Sequence, residues 1–475
     1  MTLLPHCAVC VARALVLCGL VTWFATALRR TLEGASRELQ LSIWGMLAVL
    51  LATPDLMVGY AYGDFEFSLA QSPTWNELLY ATLVGAKLLP LATLLAWFSP
   101  PSPLSPSASH CLRLARVSVR QKLDAWLQGT GRRAGPIAAV VFLLAFQDFE
   151  LAARLGVVSW TVRLFDLHAR EGFPLEDSLW LTLIPAAITL AVALGAVFPL
   201  LAGLRNEPSS SAPQRTALRR FANWPFLLLI GLLGLASLIP VAIVYRGTWG
   251  AWMPLLRDPA IRMQLLRETS TTLLVGSSGA VLAMLLSRWL NSRAGLILCL
   301  PGMLGSLVLG LVSRGLFRQI DIFSAHVGLP LELYDTPLPL VCTLTLWLLP
   351  RAVLLRWALR GRERQSSVAV AELLRSAVDP EQRAAERRLQ WDLLWRGRYW
   401  AAVLLTGWAY WDLTLPSLLA PTGMTAAPVR LYNFMHFRQT TILSAQLVVT
   451  ILAPLAIVGL LAGLAPRLMA RRSTR

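Results

Sequence analysis

The chain has 475 residues, of which 56% are apolar and only 15% charged, and its mean hydropathy is +0.58. A water-soluble protein of this length sits nearer half apolar and a quarter charged, so the composition argues against a soluble globular enzyme, a disordered chain or a fibre. The net charge of +17 is almost all arginine, with Lys87 and Lys122 the two lysines. The arginines gather in loops between apolar runs, as membrane orientation requires, rather than marking a nucleic-acid-binding face.

A helix needs roughly 20 mainly apolar residues to cross the hydrocarbon core. In chain order, such runs fall near 8–28, 41–60, 78–98, 136–155, 179–203, 225–246, 272–290, 295–314, 336–358, 399–420 and 442–463. The expected fold is therefore an all-α polytopic membrane protein of about eleven transmembrane helices. Helices are required because backbone polar groups in lipid must be satisfied within their own segment. The alternation of an outer-membrane barrel is absent. The first run carries Arg13 and resembles a signal peptide, but its length and the following Arg29 and Arg30 mark it as a span that stays.

Four stretches are rich in arginine. They are 99–135, 204–224, 359–398 and the tail with Arg467, Arg471, Arg472 and Arg475. Placing all four in the cytoplasm is self-consistent with eleven spans, an outside N-terminus and a cytoplasmic C-terminus. The loop 61–77, with Asp64, Glu66 and Glu77, then lies outside.

The chain also repeats itself. Leu88-Leu89-Pro90-x-Ala92-x-Leu94-Leu95-x-Trp97 matches Leu348-Leu349-Pro350-x-Ala352-x-Leu354-Leu355-x-Trp357 at one offset. Further on, Asp148 is followed by Val162-Arg163-Leu164-Phe165-Asp166. Asp412 is likewise followed by Val429-Arg430-Leu431-Tyr432-Asn433. Order and spacing are kept. Two homologous halves are expected, 1–205 with about five spans and 206–475 with about six, joined by a polar linker that opens at 205–213. Each half places its large basic loop on the same side, so the repeat is parallel.

These residues resemble the inner-membrane permease subunits of binding-protein-dependent ABC importers, in particular the fused two-fold permeases of the iron(III) type. That family has a cytoplasmic E-A-A loop followed by a glycine. Here the stretch Ala371 to Ala385 puts Glu372 on the family's glutamate, Leu373 and Leu374 on its alanines and Val378 on its glycine. The external stretch Leu419 to Asn433 is a closer likeness. The resemblance implies a coupling loop near 365–392, with Glu372, Arg375, Val378 and Arg383 against an ATPase, and a degenerate one near 105–127. It implies two copies of a separate ATP-binding subunit, an external solute-binding protein and a bacterial inner (plasma) membrane.

Independently, Val368, Val370, Leu373, Leu374 and Ala377 recur at helical spacing, which suits an amphipathic helix seated on a partner. The chain itself cannot hold a standard ATP site, because neither lysine follows the required glycine-rich loop. No nucleic-acid partner and no cofactor are expected.

Charged residues inside spans are functional candidates. Asp55, Lys87, Asp148, Glu150 and Asp412 qualify. Asp148 and Asp412 occupy equivalent places and either line a translocation path or cap span ends. Arg163 and Arg430 either make external contacts or form structural ion pairs. Cys7 and Cys10 form a lone C-x-x-C, and the five histidines show no ligand spacing, so no metal centre is expected. The leading expectation is a transporter subunit, not an enzyme. The alternatives are a permease relic without ATP coupling, or a polytopic membrane enzyme using Asp64 and Glu66 or Asp148 and Glu150.

Overall fold

The computed structural model describes residues 3–63, 72–99, 118, 120–121, 132–169, 172–197, 224–248, 252, 257–290, 297–328, 331–360, 396–436 and 440–471. Among them there are helices and turns but no strand. Eight helices are long and apolar enough to cross a membrane, or nine if one bent pair counts as a span. The protein is thus an all-α, multi-pass membrane protein. Its contacts divide the chain into two units, Met1–Ile243 and Val244–Arg475.

In the first unit α1 (Leu4–Gly34) is followed by α2 (Arg37–Ala52) and α3 (Asp55–Gly63). Ser36 caps α2 by accepting the Leu39 N–H. Pro54 lacks an N–H and breaks the expected span 41–60, so α2 and α3 meet at 73°. Next come α4 (Pro73–Phe98), kinked at Pro90, and α5 (Arg132–Phe146). The short α6 (Glu150–Arg154) and α7 (Trp160–Ala169) follow. The spans α8 (Leu175–Val197) and α9 (Trp224–Thr248) come last. α1 packs on α4 and α5, and α3 packs on α6. Leu28, Leu83, Ala86 and Phe146 form the dry interior.

The sequence places α9 in the second half. Most of it instead packs in the first unit. Trp224 stacks on Trp23 at 4.9 Å between ring centroids, and the Tyr62 hydroxyl donates to the Leu235 carbonyl at 2.7 Å. The linker residues 205–213 lie outside the described residues.

In the second unit α10 (Pro259–Trp289) starts at Asp258, which accepts the Ala260 and Ile261 N–H groups. Then come α11 (Leu300–Met303), α12 (Ser306–His326) and α13 (Leu338–Arg360), kinked at Pro350. They are followed by α14 (Arg396–Trp411), α15 (Thr414–Leu419), α16 (Ala427–His436) and α17 (Thr440–Arg471). α10 packs on α13 and α14, and α12 on α15.

Two expected spans are each divided. The run 295–314 breaks at Gly305, whose φ of 88° only glycine adopts readily. The run 399–420 breaks after Trp411. The apolar pattern is the same on both sides of each break, so hydropathy alone cannot find it.

Lipid supplies no hydrophobic drive between helices, so close approach of backbones must hold the unit together. Glycines provide it. A Cβ on Gly276 would meet the Ala409 Cβ at 3.3 Å, and one on Gly279 the Leu344 Cβ at 3.1 Å. Gly302 is the tightest of the described glycines: a Cβ there would run into the Leu346 carbonyl oxygen. Gly302→Ala should therefore cost at least about 1–3 kcal/mol by overpacking. Gly407, with nothing within 4 Å of an added Cβ, should accept alanine without loss. Thermal unfolding of the two variants in detergent checks this.

Candidate functional site

The strongest concentration of buried polar chemistry in the first unit surrounds the end of α5. α5 stops at Phe146, which leaves carbonyls without helical donors. The Trp160 indole N–H donates to the Phe146 carbonyl at 2.8 Å. Asp148 then caps the short α6, accepting the Ala152 N–H at 3.1 Å. The same carboxylate oxygen accepts the Tyr80 hydroxyl at 2.9 Å, and the Asp148 carbonyl accepts the Thr161 hydroxyl at 2.7 Å. Gly156 (φ 60°) ends α6, and the Val157 N–H bonds back to the Ala152 carbonyl at 3.0 Å, a glycine-dependent helix stop.

Arg13 fastens this segment to α1 and α4. Its guanidinium donates to both Glu77 oxygens, at 3.0 and 2.6 Å, and to the Val158 carbonyl at 3.1 Å. It also lies 4.7 Å from the centre of the Tyr80 ring. The ion pair is part-buried, with the Arg13 side chain only 9% exposed. Arg163 sits on α7, half-buried.

The second unit repeats the device with different partners. After α14 the Asp412 carboxylate accepts the Leu415 N–H at 2.8 Å and caps α15. It is 6% exposed and is also bonded by the Ser306 hydroxyl. The charge of Asp412 acts on Arg351 of α13. That guanidinium lies 3.9 Å over the Trp347 ring and 5.8 Å from the Trp408 ring. Arg430 of α16 pairs with Glu268 of α10 at 2.7 Å and lies 5.1 Å from the Phe434 ring.

Beyond α15, Gly423 (φ 82°) forms the turn. There Asp335 accepts the Thr422 N–H at 2.6 Å, which holds its carboxyl below the ordinary aspartate range.

Both aspartates are therefore capping groups within half-buried or buried surroundings, and Arg430 is half of a structural ion pair. Asp148 and Asp412 belong to different units. Glu372, Arg375, Val378 and Arg383, with the loops near 365–392 and 105–127, fall almost entirely outside the described residues, as do Asp64 and Glu66. Among the described residues no group of three or more His, Cys, Asp or Glu side chains is placed to hold a metal ion.

The sequence reading missed Tyr80, Glu268 and the Arg13–Glu77 pair. The available signal was a charge inside an apolar run, which Arg13 gives; Glu268 lies before the run at 272–290, beside Arg267, and gives none. Next to the break in the second unit, Thr272, Gly276, Leu344, Ala409, Pro416 and Met424 line a cavity of about 10 Å³, the size of one water. No protein-family model, no curated protein and no solved structure matches this chain.

Tyr80 donates to a carboxylate inside the unit, so Tyr80→Phe should cost about 1–3 kcal/mol. A lowered unfolding temperature in detergent is the expected outcome. An unchanged one would mean that the Tyr80–Asp148 bond contributes nothing.

Proposed function

We propose that the chain is the membrane permease of an ATP-driven importer, built from two parallel repeats. One observation carries the reading. Each unit runs through the same succession: a 31-residue helix, a broken helix pair and a proline-kinked helix. A helix ended by a capping aspartate, a short helix and a left-handed glycine follow. Then comes a ten-residue helix with arginine as its fourth residue, Arg163 in α7 and Arg430 in α16. A long span follows in each unit, α8 in the first and α17 in the second, and α9 is additional to the first. Unrelated apolar helices have no reason to share so many irregular features in one order.

In this reading eleven crossings place the basic loops in the cytoplasm and the α7 and α16 helices outside, with the N-terminus outside and the C-terminus inside. The broken helices Asp148 and Asp412 terminate are the elements that rearrange, since interrupted helices place polar backbone where a solute can reach it. The amphipathic stretch at 368–377, centred on Glu372, docks an ATPase dimer, with Arg375, Val378 and Arg383 beside it. Closure of that dimer switches access from outside to inside. A solute-binding protein delivers cargo at the outer face. The membrane is the plasma membrane of a bacterium. Small polar or ionic solutes, iron(III) among them, are the substrate class that the family resemblance suggests.

The test is a pull-down from detergent-solubilised membranes, comparing the native chain with Glu372→Arg. An ATPase subunit should co-purify with the native chain and be lost from the variant. If neither form retains an ATPase, the coupling assignment fails and a permease-like subunit without ATP coupling takes its place.

A further inference from the structure

The bend between α2 and α3 exposes a set of oxygens that the helix itself cannot satisfy. The Leu50 carbonyl would ordinarily accept the N–H of residue 54, but residue 54 is proline. The next carbonyl of interest belongs to Thr53, the helix cap, whose ψ of 120° turns it out of the helix. Asp55 follows at once in the first turn of α3. Two carbonyls at the negative end of a helix and a carboxylate thus converge within six residues of chain.

Lys87 of α4 fills the space between them. Its ammonium donates to the Leu50 carbonyl at 3.1 Å and to the Thr53 carbonyl. It lies 3.1 Å from Asp55 Oδ1. That oxygen is buried and receives no aligned hydrogen bond, so its attraction to the ammonium is electrostatic. The Lys87 side chain is 11% exposed. The surroundings are built as well: the Thr53 hydroxyl lies 2.8 Å from the Ser237 hydroxyl. Ser237 sits in the π-helical turn Gly234–Leu238 of α9, a form of helix defect that recurs at functional sites.

We infer that the α2–α3 bend is a monovalent-cation site, occupied in this chain by the tethered ammonium of Lys87. Hard oxygen donors at a broken helix end are the donor set that binds small cations in membrane transporters. One carboxylate with two carbonyls gives the site a single formal negative charge, which matches one positive charge and not two. An ammonium is a compact point charge that replaces such an ion without changing the donors. The consequence is that the first unit holds its bend without a free alkali ion. The inference does not depend on the importer reading, because it concerns the oxygens gathered at the break beside Pro54.

The test uses the full-length protein in detergent. Unfolding temperatures are compared in NaCl, KCl and choline chloride at equal ionic strength. The native chain should be indifferent to the cation. Lys87→Ala should unfold lower in choline by roughly 4 °C or more and recover in Na⁺ or K⁺. Lys87→Ala/Asp55→Asn should lose that recovery. Equal stability of Lys87→Ala in choline, or a loss that neither ion repairs, overturns the proposal. If Lys87→Ala yields no folded protein, Lys87→Arg decides. A planar guanidinium pairs with Asp55 but does not fit a cage made for a point charge, so the proposal requires destabilisation. Native stability of Lys87→Arg would reduce the site to an ordinary ion pair.

Discussion

A helix that stops inside a hydrocarbon layer must find partners for the peptide groups it leaves unpaired. That constraint organises both units. α2 stops at Pro54, and a lysine from α4 takes the freed carbonyls. α5 stops at Phe146, and Trp160 and Asp148 serve its end and the start of α6. α14 stops at Trp411, and Asp412 caps α15. The charged residues that hydropathy marks as misplaced are the groups that allow these interruptions. Their cost is offset because each has a partner: Arg13 has Glu77, Lys87 has Asp55 and Arg430 has Glu268.

The two units meet the same requirement with different residues. At the tenth residue of its first helix the first unit has Arg13, which reaches the Val158 carbonyl just before α7. At the tenth residue of α10 the second unit has Glu268, which receives Arg430 from α16. The sign of the charge is reversed while the job of fastening the segment at α7 or α16 to the first long helix is kept. The bend of the first unit is filled by Lys87. The corresponding break of the second is a glycine turn, with Gly302 pressed onto the Leu346 carbonyl.

Much of this was legible in the sequence. The stretches 73–98, 175–197 and 443–460 have mean hydropathies of 1.7, 2.1 and 2.2 over their most apolar parts, and the helices lie where the apolar runs do. Asp148, Asp412, Lys87 and Asp55 stood out because a charge in an apolar run is costly. The breaks at Gly305 and Asp412 were not legible, because leucine-rich sequence continues through them. Nor could the sequence show that α9 packs in the first unit, since that follows from contacts such as Trp23 with Trp224. Tyr80 was hidden for another reason. A tyrosine is unremarkable in a span, and only the fold brings its hydroxyl to Asp148.

The central claim is that the two units are parallel repeats, so the turns after α6 and α15 face the same side of the membrane. Single cysteines at Val158 and Thr425, both exposed, and at Ser367 in the basic loop test it in an otherwise cysteine-free chain. A membrane-impermeant maleimide applied to sealed vesicles of known orientation reads the side of each. The account predicts that Val158→Cys and Thr425→Cys react from the outer face and Ser367→Cys from the opposite one. Reaction of the first two from opposite faces would contradict it.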